Sequence, residues 1–545
     1  MRGVEPRNPR LDLVEPLARQ LALVREARLP ACFLLQYDAL LDSRFVDLLR
    51  GQPDSSCEVG GWLEIVEPLA RRAGLVWRGR TSWDWRAHVG FTLGYSPAER
   101  ERLVDAYMAE FRARFGRYPR TVGCWFLDAH TLAYLARRYG VIASCNCRDQ
   151  LGNDGYTLWG GYWNQAYYPS RRNAFVPAQH AREQIPLVMF RMLGSDPIEQ
   201  YDAGLEGARS EVITLEPACP AGGGSPAWVR WYFDALMRGP CLAFGYAQVG
   251  QENSYGWARM GAGLTDQVRL LAELARAGRV RVETLAASAA WFRSRWKVTP
   301  ATSVTALEDW RGLGRSSLWY DSRFYRANFY AEAGELRIRD LHLFDERYAE
   351  ACLVTPTRSA GCLYETLPVM DGNRWSRGAE RAGMRPVFLD GEAIPATRGA
   401  MRGATRGATR GAMRGATRGA MRGGPLEVTE LRPDALGLVW PLEAGGALEV
   451  RCAPETLTVV FSGKAQAPQW GLEMRWSPPA VPPIAHVSER RLDFARNGFT
   501  WRVRLLAGRL SRDPGAPGLL FRPEGGRLVL YLDSTAPASR PAPRP

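Results

Sequence analysis

The first 300 or so residues alternate short apolar runs with amphipathic stretches, a pattern typical of repeated β-α units. Nine runs have the composition of strands: Ala31–Tyr37, Cys57–Val59, Leu75–Trp77, Val122–Leu127, Val141–Cys145, Pro186–Leu193, Val212–Leu215, Cys241–Tyr246 and Val280–Val282. Seven or eight such units in a segment of roughly this length favour a (β/α)7-8 barrel over an open sheet. The sequence therefore predicts an α/β domain over residues 1–298.

One helix in this region is marked at both ends. Ser96 can cap its first turn, Pro97 suits its first position, and Glu99 completes a capping box. Gly116 can end it. Apolar side chains recur every four positions along one face: Leu103, Tyr107, Phe111 and Phe115. Two further helices are predicted over residues 226–238 and 264–277. These signals predict helices that pack against the sheet.

After Pro300 the periodicity changes to alternating segments separated by Gly and Pro turns. The clearest are Leu336–Leu343, Leu426–Val439, Leu448–Phe461, Trp470–Trp476, Phe499–Leu506 and Arg527–Leu532. This pattern is typical of a β-sandwich. We therefore predict a connecting segment over 299–355, a β-rich, sandwich-like domain over 356–533, and a disordered tail over 534–545.

Length and composition support a globular protein. The chain has 545 residues, of which 46% are hydrophobic and 23% charged, which excludes disorder of the whole chain. No apolar run is long enough to span a membrane, and no apolar segment follows the N-terminal basic residues as it would in a secretory signal. Ten cysteines are too few for a disulfide scaffold. We expect a cytoplasmic protein with reduced thiols and no membrane partner.

The net charge of +14 is mostly local. Residues 397–424 form seven four-residue units, six of the type TRGA or MRGA and a last one that reads MRGG, which contain seven arginines and no acid. Without them the net charge is +14 − 7 = +7. The repeat could contact RNA or another polyanion, but an expanded surface loop inserted in the β-rich domain explains it more simply. We expect no nucleic-acid partner.

Acidic residues follow several of the predicted strands. The chain places Asp38, Glu58, Asp128, Glu216 and Glu252 at or just after strand ends. Further acids lie in the adjoining loops: Asp84, Asp149, Asp154 and Asp196. In a parallel barrel these positions converge on one rim. A carboxylate there is costly to desolvate unless it is paired or used in chemistry. The set therefore indicates acid–base catalysis or cation binding.

Aromatic residues cluster in the same region. Residues 156–169 contain six aromatic rings, among them Trp159 and Trp163, and two amides, Asn164 and Gln165. Trp62 lies near a predicted strand end, and two tryptophans flank Asp84. Rings beside amides and carboxylates suit a sugar, whose C–H faces stack while its hydroxyls take polar partners. The combination favours a carbohydrate substrate.

Other chemistries have weaker signals. Only five histidines are present, and none has HExxH or HxxxH spacing. A divalent metal would have to use Asp38, Asp128 and His130, which form none of these metal-binding motifs. We therefore expect no cofactor. Cys145 and Cys147 form a lone CxC pair. No GxxxxGK[ST], strand-following GxGxxG or GxSxG motif occurs, which removes the common fingerprints of nucleotide binding and serine hydrolysis.

Seven segments together resemble an uncharacterised bacterial family assigned to the glycosyl hydrolases. They read CEVGGWLEIVEPL, WRGRTSWDW, CWFLDAHTLAYLARRYGV, CNCRDQLGNDGYTLWGGYWNQAYYPS, FRMLGSDPIEQYD, VITLEP and GQENSYGW. The resemblance covers about residues 25–370. It implies a β/α barrel of the glycoside hydrolase/deacetylase type, followed by a β-rich domain.

Two better-known relatives of that barrel type imply different chemistry. Polysaccharide deacetylases carry an Asp pair after the first strand and an HxxxH pair after the second, whereas this chain has Asp38 alone at the first place and no histidine at the second. Retaining α-glucanases use one carboxylate after the fourth strand and another after the seventh. By similarity, Asp128 matches the first, although theirs is a glutamate, and Glu216 or Glu252 matches the second.

The sequence thus predicts a glycoside hydrolase. Asp128 is expected to act as nucleophile or base, and Glu216 or Glu252 as general acid. The residues expected to contact the sugar are Asp38, Glu58, Trp62, Asp84, Trp159, Trp163, Asn164 and Gln165. Two alternatives remain: a metal-dependent deacetylase that uses Asp38, Asp128 and His130, and a sugar-binding protein without catalytic activity.

Overall fold

The computed structural model describes residues 1–51, 56–153, 155–199, 212–389, 419–463, 469–513 and 517–534. The α-helices in this part of the chain are α1 Val14–Glu26, α2 Tyr37–Leu41, α3 Ser43–Arg50, α4 Glu67–Arg72, α5 Ala87–Gly90, α6 Pro97–Phe115, α7 Ala129–Tyr139, α8 Pro226–Arg238, α9 Trp257–Arg276 and α10 Leu285–Arg295. Among the described residues, no helix is both long and apolar enough to cross a lipid bilayer.

The strands of the first 300 residues are β1 Ala31–Leu35, β2 Cys57–Trp62, β3 Val122–Gly123, β4 Ala143–Cys147, β5 Gln150–Asn153, β6 Tyr156–Trp159, β7 Ala166–Tyr167 and β8 Val188–Met192. β1, β2 and β3 are parallel neighbours, and so are β4 and β8. A parallel bridge between Thr121 and Ala143 joins the two groups. The result is an arc of five parallel strands in the order β1-β2-β3-β4-β8.

A closed barrel of seven or eight strands is not confirmed. The runs at 75–77, 241–246 and 280–282 form no strand, and the run at 212–215 contributes only an antiparallel bridge between Ser195 and Thr214. The backbone explains one of these failures. Ala243 has φ 50°, and the Phe244 N–H donates to the Leu242 carbonyl, so the chain turns where an extended strand was expected.

The helix predicted over 97–115 is confirmed with its termini. The Ser96 side chain accepts from the Glu99 N–H, and the Glu99 carboxylate accepts from Ser96 in return. Gly116 ends the helix with φ 72°, a left-handed conformation that glycine adopts without steric cost.

The strands of the remaining chain are β9 Thr302–Ala306, β10 Ser316–Asp321, β11 Tyr325–Glu332, β12 Glu335–Leu343, β13 Cys362–Glu365, β14 Leu367–Asp371, β15 Gly383–Phe388, β16 Gly419–Ala420, β17 Glu427–Arg432, β18 Ala435–Pro441, β19 Ala447–Ala453, β20 Thr456–Ser462, β21 Trp470–Arg475, β22 Ile484–Ser488, β23 Arg491–Arg496, β24 Phe499–Ala507, β25 Arg509–Arg512, β26 Gly518–Arg522 and β27 Arg527–Tyr531. One sheet follows the order β25-β26-β21-β15-β12-β11-β10-β9, with β14 and β16 at its side, and the other runs β17-β18-β19-β20-β27-β24-β23-β22.

These two sheets form the predicted β-rich part. Leu318 and Phe329 of the first sheet share a hydrophobic core with Leu438 and Leu457 of the second. The segment 299–355 is more than a connector, because it supplies β9 to β12 of the larger sheet. Residues 397–418 of the arginine repeat lie outside the described residues. The last part of the repeat is described: it contains β16, which pairs with β15, and Met421, which is buried. Residues 535–545 also lie outside them.

The α/β part and the β-rich part are packed closely together. β13 pairs in parallel with β6, so a strand from the second half of the chain extends a hairpin of the first. Trp163 stacks on Trp319 of β10, with ring centroids 4.3 Å apart and nearly parallel planes. We call this contact region, formed by β6, β13 and the Trp163–Trp319 pair, the joint between the two parts.

Candidate active site

A cavity of about 610 Å³ lies at the carboxyl ends of β3, β4 and β8. Trp125 follows β3, Cys147 ends β4, and Leu193 follows β8, and all three line the cavity. The hairpin of β5 and β6 and residues 360–362 form another part of its wall. Parallel strands present their functional side chains at this end, so the cavity has the position expected of an active site.

Two of the predicted acids, Glu216 and Glu252, line this cavity. Gln251 Nε2 donates to Glu216 Oε1 over 2.8 Å, and Gln251 Oε1 accepts from the Ala218 N–H. The second contact fixes the amide so that its donor faces Glu216. Burial, and then the neighbouring carboxylates of Glu216 and Glu252, raise the pKa of Tyr255, which also lines the cavity. Its phenol therefore stays protonated beside both carboxylates.

Glu252 has a cationic partner. Arg2 Nη2 lies 3.2 Å from Glu252 Oε2, and the Glu252 side chain is 17% exposed. The same guanidinium pairs with Glu5 and lies 4.2 Å from the centre of the Trp83 ring. The two glutamates on the cavity thus differ in their partners. Glu216 contacts the neutral amide of Gln251, whereas Glu252 contacts the guanidinium of Arg2.

Aromatic rings surround these carboxylates. Trp85, Trp125, Tyr156 and Tyr255 all line the cavity, and Trp85 is 38% exposed. Trp125 also meets Trp62 edge to face, with ring centroids 5.2 Å apart. Exposed ring faces beside carboxylates can stack on the C–H face of a sugar.

A second cavity of about 600 Å³ lies inside the arc of strands. Its wall is mostly apolar and includes Phe33, Trp62 and Phe190. It shares Trp125, Leu193 and Glu252 with the first cavity. The predicted ligand residue Trp62 therefore lies in this adjoining apolar space.

The structure contradicts the role predicted for Asp128. Its side chain is fully buried and pairs with Arg100, with 2.8 Å between Asp128 Oδ1 and Arg100 Nη1. Its oxygens also accept from the Thr92 and Thr131 hydroxyls and the Thr131 N–H, which makes Asp128 the cap of α7. A carboxylate held in this way cannot reach a substrate, so the prediction of a nucleophile at Asp128 is wrong.

Three other acids also have structural partners. Glu58 lies near the start of β2, at the opposite end from the carboxyl rim, and accepts from the Thr121 hydroxyl and the Ala286 N–H. Asp84 pairs with Arg86 over 2.6 Å inside its own loop. Asp38 follows β1 as expected, but its carboxylate accepts from the N–H groups of Val4 and Ala39. Glu58, Asp84 and Asp38 are therefore not placed to bind sugar hydroxyls.

The aromatic cluster at 156–169 lies at the joint between the two parts of the protein. Trp159 Nε1 donates to Asp371 Oδ2 over 2.9 Å, and Trp163 stacks on Trp319. Asn164 donates to the Ser195 carbonyl, and Gln165 is fully buried. The sugar-binding roles predicted for Trp159, Trp163, Asn164 and Gln165 are therefore wrong, because these side chains are packed in protein and line neither cavity.

The residues of the alternative metal site do not come together. Asp38 binds the backbone of the N-terminal segment, Asp128 pairs with Arg100, and His130 contacts Glu101 on α6 over 3.1 Å. Within the described ranges, no group of three His, Cys, Asp or Glu side chains has the arrangement of a metal site. Asp154, another acid of the rim, lies outside the described residues.

Sequence reasoning missed Arg148 and Tyr255, which line the cavity at the rim, and Gln251, which lines the second cavity. Arg148 directly follows β4, and Gln251 and Tyr255 flank Glu252 in the segment GQENSYGW. These residues are neither acids at a strand end nor members of an aromatic cluster. The position of Arg148 directly after a parallel strand is the signal that marks it.

No protein-family model matches the chain, and no curated protein matches it by sequence. Solved structures do resemble it. A putative glycoside hydrolase/deacetylase from Parabacteroides distasonis is 13% identical, with a TM-score of 0.48, over 64% of this chain and 82% of its own. A putative polysaccharide deacetylase from Mycobacterium smegmatis is 13% identical, with a TM-score of 0.32, over 52% and 77%. A family 81 glycoside hydrolase from Clostridium thermocellum is 12% identical, with a TM-score of 0.16, over 22% and 17%. Since all three TM-scores are below 0.5, we base no functional conclusion on them.

Proposed function

We propose that this protein is a glycoside hydrolase whose carboxylate pair is Glu216 and Glu252. The observation that carries the proposal is that both glutamates line one cavity, edged by tryptophan and tyrosine rings, at the carboxyl end of the parallel strands. Glycosidases use two carboxylic groups on either side of the scissile bond. Asp128, the third candidate, has no access to the cavity.

The surroundings of the two glutamates suggest their roles. Glu252 faces the Arg2 guanidinium, so we assign it the role of nucleophile or general base, which a carboxylate performs. Within the described residues, Glu216 has no cationic partner and contacts the amide of Gln251. Glu216, the other carboxyl group on the cavity, is then the general acid, since a glycosidase divides the two roles between two carboxyl groups.

The rest of the cavity suits a sugar ring. Trp85 and Trp125 offer apolar faces, while Tyr255 and Gln150 offer polar groups for hydroxyls. The volume of about 610 Å³ lies within the range of small-molecule sites. Nothing in this arrangement requires a metal ion, since proton transfer between carboxyl groups and water completes the hydrolysis.

The test is hydrolysis of aryl glycosides of common hexoses and hexuronic acids, in both anomeric forms, with EDTA present. We expect chelator-resistant release of the aryl alcohol. Either Glu216→Gln or Glu252→Gln should lower kcat by about 10²- to 10⁴-fold, as loss of a general acid or base does. Glu101→Gln, an exposed change on α6, is the matched control and should leave kcat unchanged.

Three outcomes would overturn the proposal. Hydrolysis that survives both substitutions would place the chemistry elsewhere. Release of acetate from acetylated sugars, abolished by EDTA, would show a metal-dependent deacetylase. Sugar binding without turnover, with the same affinity in wild type and Glu216→Gln, would show a binding protein.

A further inference from the structure

Arg148 is a buried arginine on the cavity that holds Glu216 and Glu252. It follows the last residue of β4, lines the cavity, and is only 7% exposed. Its Nη1 donates to the Asp149 carbonyl over 3.1 Å. Its Nε makes no hydrogen bond to any residue that the structure describes, and no described carboxylate lies within 4 Å of its guanidinium.

Three other buried arginines each have a carboxylate partner, which Arg148 does not have among the described residues. Arg100 has Asp128 at 2.8 Å, Arg191 has Asp149 at 2.6 Å, and Arg326 has the same Asp149 at 2.6 Å. Burial of a guanidinium without a counter-charge is unfavourable, so the fold normally supplies one. At Arg148 the free side of the group is the cavity.

We infer that Arg148 binds an anionic group on the sugar, so that the substrate is an acidic glycoside carrying a carboxylate or a sulfate. This inference rests on the proposed function, because it names the substrate of the same site. A guanidinium offers two parallel N–H donors, a geometry that matches carboxylate and sulfate oxygens and that neutral hydroxyls do not use fully. The ligand supplies the counter-charge that the described residues do not provide.

The experiment compares three matched sets of aryl glycosides on the full-length protein: hexuronides, 6-sulfated hexosides and neutral hexosides. We expect one anionic set to be preferred in kcat/KM. Arg148→Gln should lower kcat/KM on that set by about 10- to 100-fold, the effect of losing a hydrogen bond to a charged group. On neutral hexosides it should have little effect. Arg148→Lys should restore only part of the loss, because it keeps the charge but not the paired donors.

Arg137→Gln, the same substitution at an exposed position of α7, is the matched control and should change neither rate. Stability separates a site residue from a structural one. Removal of a buried charge that has no counter-charge among the described residues should leave Tm unchanged or raised in Arg148→Gln, whereas a structural arginine would lower it.

Binding keeps the inference testable if the proposed function fails. Isothermal titration of free glucuronate, galacturonate and 6-sulfated hexoses against glucose and galactose needs no turnover. Anion-selective binding that Arg148→Gln abolishes would support the acidic ligand even in a protein that hydrolyses nothing. Equal binding of charged and neutral sugars, no binding of any acidic sugar at millimolar concentration, or neutral hexosides cleaved as well as anionic ones, would overturn it.

Discussion

At the scale of single residues, the pair of Asp128 and Arg100 joins α6 to the start of α7. Both side chains are fully buried. We predict that Asp128→Asn lowers the free energy of unfolding by about 3 kcal/mol, because it leaves the guanidinium without its counter-charge. Urea titration measures this loss, and kcat of the folded variant should not change. Glu101→Gln, which breaks only the partly buried contact with His130, should cost less than about 1 kcal/mol. A lower kcat at unchanged stability would instead return Asp128 to the chemistry.

A second prediction at this scale concerns pH. Asp321 Oδ1 accepts from the Trp163 N–H, while Oδ2 is buried without a partner among the described residues. Burial raises the pKa of Asp321 from 3.8 to about 8. Between about pH 4 and pH 8, the folded protein keeps a proton that the unfolded chain has lost. This group therefore lowers stability as the pH rises, by up to about 1.4 kcal/mol per pH unit.

Asp321→Asn keeps the hydrogen bond from Trp163 and cannot ionise. We predict that the difference in unfolding free energy between this variant and wild type shifts by roughly 2–3 kcal/mol in favour of the variant from pH 5 to pH 7. Urea titrations at the two pH values measure the shift. Asp105→Asn, at a hydroxyl-bonded surface carboxylate, is the control and should show little change. Equal differences at both pH values would mean that Asp321 is ionised in the folded protein.

The rule that functional groups follow parallel strands picked out Glu216 and Glu252, which line the cavity. The runs at 212–215 and 241–246 on which it relied form no parallel strand, so the rule reached these two acids from strands that the fold lacks. It failed at Asp128 because the arginine that neutralises it lies 28 residues earlier, on another helix, and no local pattern links the two. It failed at Glu58 because β2 runs from Cys57 to Trp62. Glu58 therefore lies near the amino end of the strand and not after its carboxyl end.

At the scale of elements, local signals predicted best. α6 forms between its capping box and its terminal glycine because both signals lie in adjacent residues. Strands depend on partners far away in sequence, so β1 and β8 formed near their predicted positions while the runs at 241–246 and 280–282 found no pairing. The residues at 299–355 were assigned to a connector because their pairing with later strands cannot be read locally.

The hairpin of β5 and β6 provides a prediction at this scale, since it forms a wall of the cavity. Gly155 has φ 74°, and a Cβ there would lie 2.7 Å from the Ala360 carbonyl and 2.8 Å from the Trp85 carbonyl. Gly155→Ala must push these two segments apart. We predict a fall in kcat/KM of at least about tenfold, since small displacements of binding groups are costly. Gly152→Ala has a similar φ of 64° but meets nothing within 4 Å, so it separates backbone strain from the collision. Equal losses in the two variants would show that strain alone is responsible.

At the scale of the whole molecule, a network of buried charges links the α/β part to the β-rich part. Asp149, which follows β4, accepts from Arg191 of the α/β part and from Arg326 of β11. Arg326 also binds Asp340 of β12, with Nη2 2.8 Å from Oδ2. Because the Asp149 carbonyl holds Arg148, this network connects the β-rich part to the cavity. The β-rich part therefore supports the geometry of the site as well as supplying residues 360–362 of its wall.

The final prediction tests this link. Arg326→Gln leaves Asp340 buried without its cation, and we expect it to lower the free energy of unfolding by about 3–5 kcal/mol. Asp340→Asn should restore part of that stability in the double variant, because it removes the charge left unpaired, and the non-additivity should reach about 1–3 kcal/mol. Arg326→Gln should also lower kcat/KM, through Asp149 and Arg148, at temperatures where the protein stays folded. Additive costs in the cycle would mean that Arg326 acts through Asp149 alone. An unchanged kcat/KM would mean that the β-rich part stabilises the fold without positioning the site.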